Sequence, residues 1–186
     1  STDCVGADAG HYVDPSLGTG QSTQTACLAG TYNPNTGSTT STDCISADSG
    51  HYVDASLGTG QSTQTACLAG TYNPNTGSTT STDCISADPG HYVDQPGQST
   101  QTACLAGTYN PSTGSTTPTD CLGADPGFYV DPSLGTGQST QTACLAGTYN
   151  PNTGSTTSTD CLGADPGYYV DPSLGTGQST QTACLA

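Results

Sequence analysis

The apolar residues of this chain occur singly or in short groups, and they recur with a fixed period. The tyrosines that follow a glycine by two positions are spaced 20 residues apart, except for one step of 17. They are Tyr12, Tyr32, Tyr52, Tyr72, Tyr92, Tyr109, Tyr129, Tyr149 and Tyr169. No stretch has the 3.6-residue periodicity of an amphipathic helix. The pattern therefore predicts a tandem array of 20-residue units.

Two kinds of unit alternate, so the full repeat has 40 residues. The short-headed unit reads C-L-A-G-T-Y-N-P-x-T-G-S-T-T, and the long-headed unit reads C-x-x-A-D-x-G-x-Y-V-D with a Gly- and Thr-rich tail. One tail, at Asp94 to Gln98, is three residues shorter than the others. The predicted divisions are a partial long-headed unit at 1–26, repeats at 27–66, 67–103 (with the deletion), 104–143 and 144–183, and the start of a further unit at 184–186.

Turn signals separate the apolar positions. Glycine before the aromatic residue suits a left-handed backbone, and Asn-Pro or Asp-Pro followed by glycine is typical of β-turns. Short Ser, Thr, Val and Tyr segments between the turns favour β-bridges of two or three residues. We expect a small disulfide-rich repeat fold: an elongated rod of short β-hairpins and irregular loops, with no helix.

The chain is too poor in apolar residues for one large core. It has no Met or Trp and one Phe. Ordering the backbone costs roughly 1–2 kcal/mol per residue, whereas each unit offers one Tyr and one Val or Leu to bury. Disulfides and contacts between units are therefore expected to supply the remaining stability.

The charge excludes one class of partner. The chain has no Lys or Arg and 15 acidic residues, all aspartate, so its formal net charge is −15. Nucleic acids and acidic membranes are bound through Lys and Arg, so neither is expected as a partner. No apolar run is long enough to span a membrane, so no span is expected in this segment.

Ten cysteines at regular spacing, without a C-x-x-C pair, indicate an oxidising compartment. The predicted location is therefore extracellular or at the cell surface. The sequence starts within a repeat and stops just after a cysteine, so we expect it to be a mature fragment or part of a longer array.

The motif C-x-x-G-x-Y…C resembles the ephrin-receptor-like and tumour-necrosis-factor-receptor-like cysteine-rich repeats. This resemblance implies that each cysteine before Gly-x-Tyr bonds the one 17 residues later. The long-headed units depart from the pattern, since Ala47 and Gln64 stand where the family has such a pair. The bonds implied are Cys27–Cys44, Cys67–Cys84, Cys104–Cys121 and Cys144–Cys161.

Under that pairing Cys4 and Cys184 have no partner within the sequence, which makes them candidates for bonds to another chain or to residues outside it. A rival pairing across the long-headed units would satisfy all ten cysteines. It joins Cys4–Cys27, Cys44–Cys67, Cys84–Cys104, Cys121–Cys144 and Cys161–Cys184. Connectivity cannot be decided from the sequence.

Aspartate and histidine offer candidate chemistry. Calcium prefers oxygen ligands, and the candidate ligands are Asp8, Asp14, Asp48 and Asp54, although no D-x-D-x-D-G loop is present. Calcium is the one cofactor considered. Three histidines, His11, His51 and His91, occupy a position that holds Phe128 and Tyr168 elsewhere, which predicts a stacking role. An active site needs one preorganised constellation, not a repeated one, so no enzyme activity is expected.

Exposed Ser/Thr tracts in a secreted chain are candidate O-glycan acceptors. The candidates are Ser38, Thr39, Thr40, Ser78, Thr79, Thr80, Thr116, Thr117, Thr156 and Thr157.

The sequence favours a structural role, an extracellular filament, stalk or surface fibre that self-associates into a polymer and carries O-glycans. Equal units give equal interfaces, which can propagate along an axis. The alternative is a ligand-binding ectodomain of the receptor or adhesin type. A third hypothesis, ice binding, follows from repeated Thr-x-Thr such as Thr23 to Thr25; thermal hysteresis of a dilute solution would test it.

Overall fold

The computed structural model of the chain describes residues 5–185. Within this range there is no α-helix, and the strands form seven separate two-stranded antiparallel sheets. The strands are β1 His11–Tyr12, β2 Thr25–Ala26, β3 Thr31–Tyr32, β4 Ile45–Ser46, β5 His51–Tyr52, β6 Thr65–Ala66, β7 Thr71–Tyr72, β8 Ile85–Ser86, β9 His91–Tyr92, β10 Thr102–Ala103, β11 Phe128–Tyr129, β12 Thr142–Ala143, β13 Tyr168–Tyr169 and β14 Thr182–Ala183. A small disulfide-rich repeat of β-hairpins is confirmed.

Each hairpin joins the tyrosine of its unit to the segment beside the following cysteine. In a long-headed unit Tyr12 pairs with Thr25, and in a short-headed unit Tyr32 pairs with Ile45. Two short-headed units keep a single antiparallel bridge, Tyr109 with Leu122 and Tyr149 with Leu162. The 20-residue period is therefore one hairpin per unit, as the tyrosine spacing predicts.

Single turns of 3-10 helix lie in the loops between paired strands, and the sequence pattern did not predict them. Their bounds are Pro15–Leu17, Ser41–Asp43, Ala55–Leu57, Ser81–Asp83, Pro118–Asp120, Pro132–Leu134, Ser158–Asp160 and Pro172–Leu174. Local capping explains them: Asp54 accepts a hydrogen bond from the Ser56 N–H, and Thr80 and Asp83 form a capping box. No helix among the described residues has the length and apolar character needed to cross a membrane.

The chain divides into two compact parts, each of which contains several repeat units. One comprises the described residues up to Ser86 together with Gln95–Thr100, and the other comprises Ala87–Asp94 together with the described residues from Gln101 onward. Each contains a small apolar cluster. The clusters are Tyr32, Ala47 and Val53 in the first part, and Tyr109, Ala124 and Val130 with Phe128 against them in the second.

These clusters use valine and not leucine. Val53, Val93 and Val130 are fully buried, whereas leucine, which the sequence offered as an equal candidate for burial, is exposed in every described unit. The most exposed, apart from Leu185 at the chain end, are Leu17, Leu28, Leu57, Leu68, Leu105, Leu134, Leu145 and Leu174, each about 70–75% exposed. These eight leucines lie in turns and loops, where no neighbouring unit covers them.

Four disulfides close the short-headed units: Cys27–Cys44, Cys67–Cys84, Cys104–Cys121 and Cys144–Cys161. This is the pairing that the family resemblance implies, and the rival pairing is wrong for these eight cysteines. Cys184 is exposed and has no disulfide partner among residues 5–185. Cys4 lies outside the described residues.

Candidate functional site: the contacts between repeat units

A buried asparagine lies at the centre of each short-headed unit. The Asn33 side chain is fully buried. Its Nδ2 donates to the His11 carbonyl oxygen at 3.1 Å and to Ser38 Oγ at 2.8 Å, and its Oδ1 accepts from the Asn35 N–H at 3.0 Å. A buried amide with all these bonds made is a stable core element. The counterparts are Asn73, Asn110 and Asn150, which are also buried.

The backbone of the same asparagine joins its unit to the units before and after it. The Asn33 N–H donates to the Gln61 carbonyl oxygen at 3.0 Å, and its own carbonyl oxygen accepts from the Gly10 N–H at 2.8 Å. Tyr32 also forms a parallel bridge with Gln61. Each short-headed hairpin is therefore hydrogen-bonded to long-headed hairpins on both sides in the sequence.

A second contact, which we call the ring–glycine contact, links successive long-headed units directly. The His11 ring lies over Gly60, where an added Cβ would be 3.2 Å from the ring. Gly10 lies so close to the Gly60 carbonyl oxygen that it has no room for a Cβ. The stacking role of the histidine position stays a prediction, since the contact seen here joins a ring to a glycine. The four copies are His11 on Gly60, His51 on Gly97, His91 on Gly137 and Phe128 on Gly177.

A Gln–Asp pair takes the place of the disulfide in the long-headed units. Gln64 Oε1 accepts from the Asp48 N–H at 2.8 Å, and Gln64 Nε2 donates to Asp48 Oδ2 at 2.6 Å. The sequence shows that Ala47 and Gln64 stand at the missing cysteine positions. It did not predict that Gln64 would pair with Asp48, the residue that follows Ala47. The five pairs are Asp8–Gln24, Asp48–Gln64, Asp88–Gln101, Asp125–Gln141 and Asp165–Gln181.

Other aspartates cap the 3-10 turns. Hydrogen bonds from the Ser56 hydroxyl and the Ser56 N–H lower the pKa of Asp54. The serine two residues after the capping aspartate lowers its pKa in the same way in three other long-headed units. These aspartates are Asp14, Asp131 and Asp171. In the short-headed turns Asp83 Oδ2 accepts from the N–H groups of Thr79 and Thr80.

The structure does not bring the candidate calcium ligands together. Asp8 and Asp48 are each bonded to a glutamine, and Asp14 and Asp54 each cap a turn. Among the residues described, no three His, Cys, Asp or Glu side chains are grouped as metal ligands would be. A Ca²⁺ site needs six to eight oxygens around one point, so these four residues do not form one.

Three buried tyrosines, Tyr32, Tyr109 and Tyr149, have a raised pKa. Burial, with a hydrogen bond to Asp125 at 3.0 Å and the charge of that carboxylate, raises the pKa of Tyr109. Burial followed by the charge of a nearby aspartate also raises the pKa of Tyr32 and of Tyr149. Tyr109 and Tyr149 each donate their hydroxyl hydrogen to the aspartate of the next long-headed unit, Asp125 and Asp165 respectively.

The structure corrects two of the ten predicted O-glycan acceptors. Ser38 and Ser78 are about 8% exposed, and each Oγ accepts from a buried asparagine, so neither hydroxyl can carry a sugar in the folded chain. Two others are half-buried, and the remaining six are exposed. The half-buried residues are Thr79 and Thr156, and the exposed ones are Thr39, Thr40, Thr80, Thr116, Thr117 and Thr157.

Two shallow grooves lie on the surface. One of about 320 Å³ runs beside Pro111, Thr116, Asp120 and Leu122. Another of about 250 Å³ lies beside the Cys67–Cys84 disulfide and includes Leu68. Both combine hydroxyl and apolar groups.

The chain matches no protein-family model and no curated protein sequence. The likeness to the ephrin-receptor-like and tumour-necrosis-factor-receptor-like repeats therefore rests on the sequence motif alone.

Proposed function

We propose that this chain is a structural segment of an extracellular filament, stalk or surface fibre that self-associates into a polymer and carries O-glycans on exposed threonines. The observation that carries this proposal is the repetition of one set of contacts between units. The ring–glycine contact recurs four times, and the asparagine backbone bonds recur with it. Near-identical contacts between successive units are the design of a repeat protein, whose stability grows with the number of neighbours.

The copy with the three-residue deletion supports the proposal. Its loop at Asp94 to Gln98 has lost the 3-10 turn that the other long-headed loops contain. The contact with the preceding units is nevertheless retained, since Gly97 lies under the His51 ring and its N–H donates to the Cys67 carbonyl oxygen at 2.8 Å. The loop exterior of this copy differs from the others while its contact with the preceding units is kept, as expected if the repeats serve to stack on one another.

The chemistry of the surface supports an extracellular, glycosylated fibre. Four disulfides in a chain of 186 residues suit an oxidising environment. One exposed threonine directly precedes the 3-10 turn of each short-headed unit (Thr40, Thr80, Thr117 and Thr157), so glycans there would be presented at regular intervals along the array.

Immunogold electron microscopy of the producing cells, with an antibody against the Cys27–Cys44 unit, tests the proposal. We expect label along extracellular fibres or stalks. Intact mass of the native protein tests the glycans: we expect excess mass in hexose-sized steps, removed by chemical deglycosylation. Label confined to the cell interior would refute the fibre, and a native mass equal to that of the bare chain would refute the glycans.

The exposed leucines favour a second candidate function, a ligand-binding ectodomain of the receptor or adhesin type. Leu68 protrudes beside the groove at the Cys67–Cys84 disulfide, and protruding apolar groups beside a groove suit a partner surface. Saturable binding in a cell-adhesion or glycan screen, abolished by L68S together with L105S and L145S, would support this function. Binding that the three substitutions leave unchanged would count against it.

A further inference from the structure

The groove beside the Cys67–Cys84 disulfide combines an aromatic ring with hydroxyl groups, and no charged side chain lines it. Tyr52 and Thr65 are cross-strand partners in the hairpin of β5 and β6, so their side chains lie next to each other on one face of the sheet. Leu68, which is 76% exposed, and the exposed Ser81 also line the groove. A ligand therefore meets one ring, one protruding apolar side chain and several hydroxyl groups.

Two hydroxyl groups of this groove are free to bind. The Tyr52 and Thr65 hydroxyls make no hydrogen bond within the described part of the chain, unlike the Tyr109 hydroxyl, which donates to Asp125. In that part no buried side-chain nitrogen or oxygen lacks a partner, so both hydroxyls reach solvent. A ligand can therefore replace water at Tyr52 and Thr65 without breaking a hydrogen bond of the fold.

The residues of this groove recur along the chain. Three other sets have the same residue types at the positions of Tyr52, Thr65 and Leu68, and the leucine is about 75% exposed in each. One set has Pro118 where the others have a serine such as Ser81. An apolar side chain that is left exposed in every copy indicates a surface that meets a partner. The four sets contain Tyr12 with Leu28, Tyr52 with Leu68, Tyr92 with Leu105, and Tyr129 with Leu145.

We propose that this groove binds a neutral glycan, with one sugar ring against Tyr52 and Leu68 and its hydroxyl groups bonded to Thr65 and Ser81. This inference rests on the second candidate function, which it deepens by naming the class of ligand. A sugar ring has apolar C–H faces and hydroxyl groups around its edge. The weakly positive C–H groups suit the negative face of an aromatic ring, and the sugar hydroxyls suit side chains that both donate and accept.

Charge and size favour a neutral sugar over other ligands. The chain has 15 acidic residues and no Lys or Arg, so an anionic ligand is repelled and finds no cationic partner. No carboxylate lines the groove, so a cationic ligand finds no partner there either. The volume of about 250 Å³ is below the roughly 300–1,000 Å³ of sites for drug-sized ligands, which suits one sugar residue of a longer glycan.

Repetition of the groove matters for affinity. One shallow groove buries little of its ligand, so a single site should bind weakly. A polysaccharide carries many equal sugar residues and can occupy more than one groove of the same chain, which raises the overall affinity without any new contact. The proposal therefore predicts tighter binding to a polymer than to its free sugar.

Native electrophoresis of the oxidised full chain through gels that contain a soluble polysaccharide tests the proposal. The neutral probes are dextran, mannan, galactomannan and hydroxyethylcellulose, and alginate is the acidic comparison. We expect at least one neutral polysaccharide to retard the chain in proportion to its concentration, and alginate to have no effect. L28S/L68S/L105S/L145S should raise the apparent Kd by about tenfold or more, because every groove loses its apolar contact. The matched control, L17S/L57S/L134S/L174S, removes four leucines of similar exposure from the long-headed loops and should leave the Kd unchanged.

The threonine hydroxyl has its own pair of variants. T25V/T65V/T102V/T142V removes this hydroxyl from every groove and keeps the branched shape of the side chain, so it should raise the Kd by about two- to tenfold. T23V/T63V/T100V/T140V changes exposed threonines two residues earlier, outside the groove, and should not. Loss of binding in the leucine variant without loss in the first valine variant would indicate an apolar partner in place of a sugar and would overturn the proposal.

A chain that none of the neutral polysaccharides retards would also overturn the proposal, as would equal effects of the two leucine variants or retardation by alginate alone. Adhesion of the chain to cells without retardation by any neutral polysaccharide would refute the sugar site and leave the second candidate function standing. Retardation that the groove variants abolish, together with no adhesion to cells, would support the sugar site and count against that function.

Discussion

The buried asparagine is the residue on which each short-headed unit depends most. Asn73 Nδ2 donates to the His51 carbonyl oxygen and to Ser78 Oγ, and its Oδ1 accepts from the Asn75 N–H. N73A would leave these buried groups without partners and should lower the free energy of unfolding by about 2–4 kcal/mol. Urea unfolding followed by tyrosine fluorescence measures this loss.

N75A provides the matched control for N73A, since it removes the same side chain from an exposed position in the same turn. Its backbone N–H, which bonds Asn73, is retained. We expect a change below about 0.5 kcal/mol, as for other exposed positions. Equal effects of N73A and N75A would show that the buried amide contributes no more than an ordinary turn residue.

The capping aspartates make the stability of the fold depend on pH in the acid range. Because the pKa of Asp54 is lowered in the fold from its ordinary value of 3.8, its stabilisation is complete above about that pH and is lost as the pH falls through the lower folded value. S56A removes the serine hydroxyl, the largest cause of the lowering, and should move the pKa of Asp54 back toward 3.8 in a ¹³C NMR titration.

A matched variant at an exposed hydroxyl that no aspartate uses, T63A, should leave the Asp54 titration unchanged. Urea midpoints measured between pH 6 and pH 2 should fall less for S56A than for the parent chain. A pKa of Asp54 that is the same in S56A and in the parent would contradict the role given to the hydroxyl.

The burial of the asparagines could not be predicted from the sequence. Asn followed by Pro is a turn signal, and polar residues are mostly exposed, so burial of Asn33 could not be foreseen. Its partners include a carbonyl group 22 positions away, and nothing local marks that contact. Ser38 stands five residues after Asn33 in every copy, but the threonines around it are equally constant, so this spacing did not mark the contact.

At the scale of the hairpin, the disulfide and the Gln–Asp pair are alternative closures of the same loop. Ala47 and Cys67 are both buried at the start of their hairpins, and the cysteines of each disulfide are 17 residues apart, as Ala47 and Gln64 are. A47C/Q64C should therefore form a fifth disulfide on oxidation and raise the free energy of unfolding by up to about 3 kcal/mol, less the loss of the Gln–Asp bonds.

Intact mass before and after reduction with alkylation reports the fifth bond. A47C/T63C is the control, since Thr63 is exposed and lies one residue away from the 17-residue spacing of the native disulfides, so it should remain reduced at those two positions. If A47C/Q64C also stays reduced, the long-headed hairpin does not share the geometry of the short-headed one.

The hairpins themselves could be predicted and their loops could not. Tyrosine spacing and turn residues sufficed for the 20-residue period and the two-residue strands, because both depend on local signals. The 3-10 turns depend on which side chain caps them, and a three-residue helix leaves no periodicity to detect. The exposure of Leu57 depends on the path of the loop that carries it, which the apolar pattern does not specify.

For the whole molecule, the class of fold could be predicted from the composition, because an acidic chain with so few apolar residues cannot form one large core. Disulfides and unit-on-unit contacts were expected from that shortage, and both are present. The partners in those contacts lie about 50 residues apart, as His11 and Gly60 do, and a period of 40 does not reveal which face of one unit meets the next.

The charge of the whole chain gives a last prediction, which also bears on calcium. With no cation to offset 15 carboxylates, self-repulsion should be reduced by salt, so Tm should rise as NaCl increases from about 10 to about 150 mM and the Debye length falls from about 30 to about 8 Å. Because the described aspartates at the candidate positions already bond a glutamine or a turn, CaCl₂ and MgCl₂ at one ionic strength should give the same Tm. A rise in Tm with CaCl₂ alone, saturating at low millimolar concentration, would show that calcium displaces those hydrogen bonds and binds.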